Sequence, residues 1–226
     1  MHSKPDHMLE TIPVVSTATS LAEQAYLVIR DYIVTLRLAP GSTIQEESLA
    51  KALGFGRTPI REALIRLGQE GLVTVRPRRG TFVSDINITD LAQMTEIRLQ
   101  LESFAAGLAA QRINAAESLV ADTLLEAFAH PHAEQDPEHW IDLDRRVHYF
   151  MYRCTKNSFL EEDLVRYFNL SLRIWYLALD RMNHLHDNTY EHVELLGAIQ
   201  AKDVELAQQV VVRHIKSFEA EVRKVI

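Results

Sequence analysis

Three histidines and one aspartate in the second half of the chain have the residue types and spacing of a metal site. Asp144 and His148 lie four residues apart and therefore share one face of a helix. His192 and His214 follow, each within a predicted helix of its own. One carboxylate and three imidazoles suit zinc first, with nickel or manganese as alternatives. The spacing permits these side chains to meet but does not require it, and a single buried histidine is more often a hydrogen-bonded core residue.

The other histidines and the cysteine have simpler interpretations. His184 and His186 flank a predicted helix junction and form the best rival metal pair, although a solvated position explains them better. The remaining histidines lie in the N-terminal tail or beside a loop: His2, His7, His130, His132 and His139. Cys154 is the single cysteine. It excludes an internal disulfide, is typical of a reducing cytoplasm and is better explained as a small buried hydrophobe than as a nucleophile.

A run of arginines in the first half of the chain points to a different chemistry. Arg57 and Arg61 lie at the predicted start of a helix, where positive charge opposes the helix dipole. Arg76, Arg78 and Arg79 occupy a short turn between two β-prone segments. Arginines at a helix N-terminus can meet phosphates or guanine edges, and those in a hairpin turn can hold phosphates or enter the minor groove. The pattern predicts binding to double-stranded DNA.

The first two elements around these arginines are predicted to be helices. Apolar residues at helical spacing favour a helix over residues 22–36, before a break at Pro40 and Gly41. Thr43 and Glu46 have the spacing of a capping box, which predicts a second, short helix through residue 53.

A third helix and a hairpin complete the predicted domain. After a glycine turn, Thr58 is predicted to be the N-cap of a helix that starts at Pro59 and runs to about Glu70. Two β-prone segments, residues 72–75 and 81–83, then flank the arginine turn. Two short helices joined by a glycine turn and followed by a basic hairpin predict a winged helix-turn-helix.

The charge distribution separates two domains. The chain of 226 residues has a formal net charge of -7, which on its own argues against nucleic acid as a partner. Residues 21–85, however, carry nine Lys and Arg against seven Asp and Glu, whereas residues 86–226 carry fourteen against twenty-two. We therefore expect a disordered tail at 1–19, a winged helix-turn-helix domain at 20–86 and a second domain at 87–226, which the family resemblance below implies is for effector binding and dimerisation.

The second domain is predicted to be an antiparallel bundle of six helices, so that the whole chain is mainly α. The helices are expected near residues 89–111, 115–129, 137–155, 158–183, 188–201 and 203–225. Bundles of this kind build ligand and metal sites from inward side chains on facing helices. No apolar run approaches the ~18 residues that a membrane span needs.

Residues 26–84 resemble the DNA-binding domain of the GntR family of bacterial transcription regulators. The resemblance runs through LAPGSTIQEESLAKALGFGRTPIREALIRLGQEGLVTVRPRRGTFV, of which RTPIREAL is the most recognisable part. It implies that Arg57, Thr58 and Arg61 contact DNA and that Gly80 lies at the tip of the wing. Glu47 departs from the pattern, since some members carry an arginine there that touches DNA.

Residues 89–226 resemble the FCD domain, the helical effector domain of the FadR branch of that family. The resemblance rests on Glu96-Ile97-Arg98 with Leu101-Glu102, on Asp144 with His148, on Glu191-His192 with Leu195-Leu196, and on His214-Ile215. It implies that Asp144, His148, His192 and His214 bind a divalent metal beside the effector cavity. It also implies that the effector binds through a carboxylate, which suggests a small organic or sugar acid.

The effector contacts are less well defined by the sequence. Arg98 could hold a ligand carboxylate, because a guanidinium binds carboxylates with two hydrogen bonds, or it could pair with Glu102 one helical turn away. Asn169, Arg173 and Tyr176 lie on one long predicted helix and could line the same cavity. For Tyr176, packing against a neighbouring helix is the better explanation.

Together these features predict a homodimeric, ligand-responsive transcription regulator, a repressor rather than an activator, that binds a palindromic operator. Two alternatives remain open. One is a regulator that senses the metal itself. The other is a zinc-dependent hydrolase with a DNA-binding domain, which the absence of a hydrolase-like base motif disfavours.

Overall fold

The computed structural model describes residues 20–129, 137–178 and 189–225. They fall into two compact units, divided between Ile86 and Asn87. The chain is mainly helical, with one small antiparallel sheet in the first unit and six helices in the second. The predicted tail at 1–19 lies outside the described residues, as do the rival pair His184 and His186.

The first unit is a winged helix-turn-helix. In chain order it contains α1 (Leu21–Val34), β1 (Thr43–Ile44), α2 (Glu46–Leu53), α3 (Arg57–Gln69), β2 (Val73–Arg76) and β3 (Gly80–Val83). The sheet order is β1-β3-β2, and all pairs are antiparallel. Helix α1 packs on α3 through fully buried side chains such as Ile29, Ile33, Ile60 and Leu67. The helix-turn-helix and the hairpin are therefore held on one apolar core.

Two predicted helix starts in this unit are wrong. Thr43 does not cap a helix, because it lies in β1 and pairs with Phe82 of β3. Helix α2 begins instead after Gln45, whose side chain makes no capping bond. Thr58 is not an N-cap either: Gly56 takes that position with extended backbone, so that Arg57 is already helical.

The second unit is a bundle of six helices. They are α4 (Asp90–Arg112), α5 (Ala115–Phe128), α6 (Pro137–Cys154), α7 (Ser158–Ala178), α8 (Thr189–Gln200) and α9 (Val204–Val225). Asn114 and Glu117 form a capping box at the start of α5, and the Asp203 carboxylate accepts from the Leu206 amide at the start of α9. These two starts confirm what the sequence indicates.

Helix α4 lies at the centre of this bundle. It packs against α6, α7, α8 and α9. Gly107 lets α4 approach α9 closely, because a Cβ at that position would lie 2.9 Å from the Gln208 amide nitrogen. The helices that carry Asp144, His148, His192 and His214 are thus all packed against one central helix.

Candidate metal centre and nucleic-acid interface

The four predicted metal ligands come together in the core of the second unit. Asp144 and His148 extend from α6, His192 from α8 and His214 from α9. All four are buried, and one ligand atom from each can be chosen so that all lie within 4.8 Å of one another. The convergence that helical spacing left open is therefore present.

The three imidazoles point the same nitrogen at the same carboxylate oxygen. The Nε2 atoms of His192, His214 and His148 lie 2.7, 3.3 and 3.6 Å from Oδ1 of Asp144. Within the described residues, the second carboxylate oxygen, Oδ2, and the Nε2 of His148 are buried without a hydrogen-bond partner. Buried polar atoms rarely remain unpaired. A carboxylate with one unpaired oxygen and three converging imidazole nitrogens, one of them unpaired, fit a divalent metal ion, which these four residues could hold.

The ionisation of the cluster is set by burial and by its own members. Burial alone would raise the pKa of the Asp144 carboxyl, but the charge of His148 and hydrogen bonds from the imidazoles hold it well below its usual range. Burial would lower the pKa of His214, whereas hydrogen bonds to Asp144 and Glu191 raise it to about 9. Burial and the neighbouring His214 lower the pKa of His192 to about 4. The cluster therefore favours a positive charge beside Asp144, carried either by a protonated imidazole or by a metal ion.

Two glutamates that the sequence did not single out as site residues lie behind the histidines. Glu102 of α4 is fully buried, and its Oε2 lies 2.7 Å from Nδ1 of His148. Glu191 of α8 places Oε2 3.2 Å from Nδ1 of His214. Burial would raise the pKa of Glu102, but the charges of Arg98 and His148 lower it to about 2. Glu102 is therefore a buried anion in contact with one imidazole of the cluster.

Arg98 is engaged by that glutamate. Its Nε donates to Oε1 of Glu102 over 2.5 Å, and the two side chains are 6% and 0% exposed. The guanidinium also lies over the ring of Phe168. Of the two roles considered for Arg98, the helical pair with Glu102 is present. This pair places Arg98 next to the cluster rather than on the surface.

The other predicted effector contacts lie on α7. Asn169 and Arg173 are buried, and Tyr176 is half-buried. The Asn169 carbonyl oxygen accepts from the Tyr149 hydroxyl of α6 over 2.8 Å. A surface cavity of about 380 Å³ lies elsewhere, between α4 and α9, and none of the four predicted effector residues lines it.

Cys154 has the character expected of a buried hydrophobe. It ends α6 with no exposed surface, and burial raises the pKa of its thiol to about 11. A thiol with such a pKa is a poor nucleophile at neutral pH.

The predicted DNA-binding residues lie on the surface of the first unit. Arg57, Thr58 and Arg61 are exposed on the first turns of α3. In the structure Arg57 pairs with Glu47 at 2.6 Å and Arg61 with Glu46 at 3.5 Å, and both pairs are at the surface. Glu47, the departure noted in the sequence, thus holds one of these arginines. Exposed pairs of this kind are weak and can be exchanged for a phosphate.

The wing carries the second set of arginines. Arg78, Arg79 and Gly80 are exposed in the turn between β2 and β3, where Arg78 and Gly80 have positive φ angles of 63° and 104°. Arg76 is less free, because it pairs with Asp85 at 3.2 Å and lies over the Phe82 ring. The turn therefore presents two arginines to solvent, with Arg76 supporting its base.

None of the helices within the described ranges is long and apolar enough to cross a membrane.

Two sequence families match the chain, one for each unit. Residues 21–83 match the gntR family of bacterial regulatory proteins, and residues 93–217 match the FCD domain. The HTH-type transcriptional repressor RspR of Escherichia coli is 23% identical over 204 residues, which cover 90% of this chain and 89% of the relative. A probable D-xylose utilization operon transcriptional repressor of Paenarthrobacter nicotinovorans is 29% identical, covering 89% and 88%.

Solved structures show the same fold. The structure of Escherichia coli McbR/YncC superposes with a TM-score of 0.81 at 23% identity and covers 91% of this chain and 98% of its own. A GntR regulator from Rhodococcus sp. RHA1 has a TM-score of 0.71 at 20% identity, with coverage of 92% and 100%.

Proposed function

The chain belongs to the GntR family of bacterial regulatory proteins, in the branch with an FCD domain, and we propose that it is a repressor whose helical domain senses a small carboxylate beside a bound metal ion. The family consists of DNA-binding transcription regulators and not of enzymes, which removes the hydrolase from consideration. The observation that carries the proposal is the buried cluster of one carboxylate and three imidazoles, built into the domain that follows the winged helix-turn-helix.

Zinc is the metal we favour, with nickel or manganese as alternatives. Asp144, His148, His192 and His214 would hold it, since three nitrogens and one oxygen are ligands that all three ions accept. A metal with four protein ligands and a preference for five or six would supply Lewis acidity and open positions for the oxygen atoms of an effector.

The effector we propose is a small organic or sugar acid. Arg98 brings a fixed positive charge to the edge of the cluster, and Arg173 and Asn169 lie buried on the neighbouring helix α7. Tyr176 is the fourth residue assigned to this role. A guanidinium and a metal ion are both suited to a carboxylate.

DNA binding is assigned to the exposed side of the first unit. Arg57, Thr58 and Arg61 would enter the major groove with the start of α3, while the wing turn would hold the backbone or the minor groove through Arg76, Arg78, Arg79 and Gly80. A homodimer would place two such surfaces on a palindromic operator of double-stranded DNA. Such a protein works in the bacterial cytoplasm, where the chromosome lies. RspR, a relative, is itself a repressor.

The test is a mobility-shift titration of the full chain against the promoter region of its own gene. We expect preference over random DNA of equal length at moderate salt, and release when a suitable acid is added to the metal-loaded protein. His214→Ala should keep the DNA affinity and lose the response to the acid. Absence of any preference over random DNA would overturn the proposal that the protein is a sequence-specific regulator. Release by metal alone, with no acid present, would favour the metal sensor instead.

A further inference from the structure

The two nitrogens of each imidazole in the cluster have different surroundings. All three Nε2 atoms face Asp144, as described above. A neutral imidazole carries its proton on only one nitrogen, so the group at Nδ1 decides whether Nε2 keeps a free lone pair for a metal. The partners of the three Nδ1 atoms therefore matter to any ion held there.

His148 has a carboxylate at Nδ1. Oε2 of Glu102 lies 2.7 Å away as an ion-pair contact, without the geometry of a regular hydrogen bond, and the Tyr152 hydroxyl lies 3.3 Å from the same nitrogen. Glu102 is held on its other oxygen by Arg98, and both are almost completely shielded from water. Arginine, glutamate and histidine thus form a continuous buried chain that ends at the cluster.

His214 has a similar arrangement on the opposite side. Oε2 of Glu191 lies 3.2 Å from its Nδ1. The other oxygen of Glu191 accepts from Nε of Arg213 at 3.2 Å and from the Ser217 hydroxyl at 3.3 Å. A second chain of arginine, glutamate and histidine therefore reaches the cluster from α8 and α9.

His192 is supported differently. Its Nδ1 is buried and has no hydrogen-bond partner among the residues that the structure describes. Its ring instead stacks on Phe128 of α5, with centroids 5.5 Å apart and planes at 14°. Two of the three imidazoles are thus fixed by carboxylates and the third by an aromatic ring.

We infer that Glu102 and Glu191 are positioning residues of the proposed metal centre, which orient His148 and His214 by accepting a hydrogen bond from each Nδ1–H. This bond places the proton on Nδ1, aims the Nε2 lone pair at the ion and makes the ring a stronger donor. Arg98 and Arg213 hold the two carboxylates in place through hydrogen bonds to their other oxygens. The inference rests on the metal centre proposed above.

The test measures metal binding by the full-length protein, without DNA or effector. The protein is stripped with a chelator and titrated with Zn²⁺ against a chromophoric competitor, and the Co²⁺ form is examined by visible absorption. We expect Glu102→Gln to weaken Zn²⁺ binding about 10- to 100-fold and to change the Co²⁺ bands. Glu102→Ala should weaken it further, because the glutamine carbonyl can still accept the bond from His148.

Glu191→Gln provides an independent variant. Glu191 lies nearer the surface than Glu102, so its replacement should destabilise the fold less. Its matched control is Glu194→Gln, since Glu194 lies on the same helix and pairs with the same Arg213 but has no imidazole contact among the residues described. Glu96→Gln, at an exposed position on α4, is the control for Glu102. Both controls should bind Zn²⁺ as the wild type does.

The outcomes separate the inference from the proposed function. Wild-type protein that takes up neither Zn²⁺ nor Co²⁺ would overturn the metal centre and this inference with it. The inference alone would be overturned if the wild-type protein binds the metal and the glutamine variants bind it equally well. Those variants would then keep the Co²⁺ spectrum of the wild type and lose only thermal stability.

Discussion

At the scale of single residues, Arg98 belongs both to a buried ion pair with Glu102 and to the proposed effector site. The guanidinium is the fixed charge we assign to the effector carboxylate, yet it already neutralises an anion with no exposed surface. Removing one partner of a buried ion pair leaves an uncompensated charge in the core. A loss of effector response in an Arg98 variant therefore says little until the stability of that variant is known.

We expect Arg98→Ala to lower the free energy of unfolding by ~3–5 kcal/mol, measured by urea denaturation. The matched control is Arg223→Ala, because Arg223 pairs with Glu219 at the same helical spacing but is largely exposed. That change should cost only ~0–1 kcal/mol. Equal losses in the two variants would show that Glu102 is not buried as an anion.

At the scale of helices and strands, the sequence predicts element types well and their starts less well. Apolar periodicity, together with the turn and cap residues between segments, indicates each of the nine helices found within the described residues. The start of α3 is wrong by two residues, because Pro59, which has no N–H, is tolerated within a first turn whose amides have no intrahelical partner. Strand β1 is missed since two residues, Thr43 and Ile44, show no periodicity and are defined only by pairing with β3.

The metal cluster shows what helical spacing can and cannot predict. Asp144 and His148 are four residues apart, so their shared face follows from the sequence. Their meeting with His192 and His214 depends on how α6, α8 and α9 pack, and resemblance to a family supplied that step. The roles of Glu102 and Glu191 are harder still to predict, because each contacts a histidine on another helix. The only local signal for them in the sequence is Arg98, one helical turn before Glu102.

Two helical glycines with different surroundings, Gly197 of α8 and Gly107 of α4, test the close contact between α4 and α9. Gly197 lies exposed within α8, and a Cβ there would meet nothing within 4 Å. Gly197→Ala should therefore raise the free energy of unfolding by roughly 0.5–1 kcal/mol through the better helix propensity of alanine. Gly107→Ala should gain less, because its Cβ would displace Gln208. Thermal denaturation of both variants measures the difference, and an equal gain would argue against the close approach of α4 to α9.

The recognition helix α3 can be tested without knowledge of the effector. Arg61→Ala should weaken operator binding by ~1–3 kcal/mol and relax sequence preference if the arginine reads a base. Arg37→Ala removes an exposed arginine of the same unit that lies outside the proposed surface. Fluorescence anisotropy at several salt concentrations compares the two. A loss in Arg61→Ala that is uniform across sequences would indicate a phosphate contact instead.

At the scale of the whole molecule, the two units differ in charge as well as in fold. The DNA-binding unit has a small excess of positive charge, concentrated in α3 and the wing, whereas the helical unit is strongly acidic. An acidic body repels the phosphate backbone, which limits non-specific contact to the basic surface. The same acidic unit contains the cluster that favours a cation, so that the proposed DNA and metal sites belong to different units of one chain.

This division leads to a measurement that distinguishes the units. Both tryptophans of the chain, Trp140 and Trp175, belong to the helical unit, on α6 and α7. Tryptophan fluorescence therefore follows unfolding of that unit alone, while circular dichroism follows the helices of both. A ligand that binds only the folded state stabilises it by about 2.7 kcal/mol at a concentration 100 times its Kd.

We expect Zn²⁺ to raise the midpoint of the fluorescence transition, and a chelator to reverse the shift. Asp144→Asn should abolish most of the effect, because it removes the carboxylate that all three Nε2 atoms face. Arg61→Ala, in the other unit, should leave the shift unchanged. A Zn²⁺ shift of unchanged size in Asp144→Asn would show that the Asp144 carboxylate does not hold the ion.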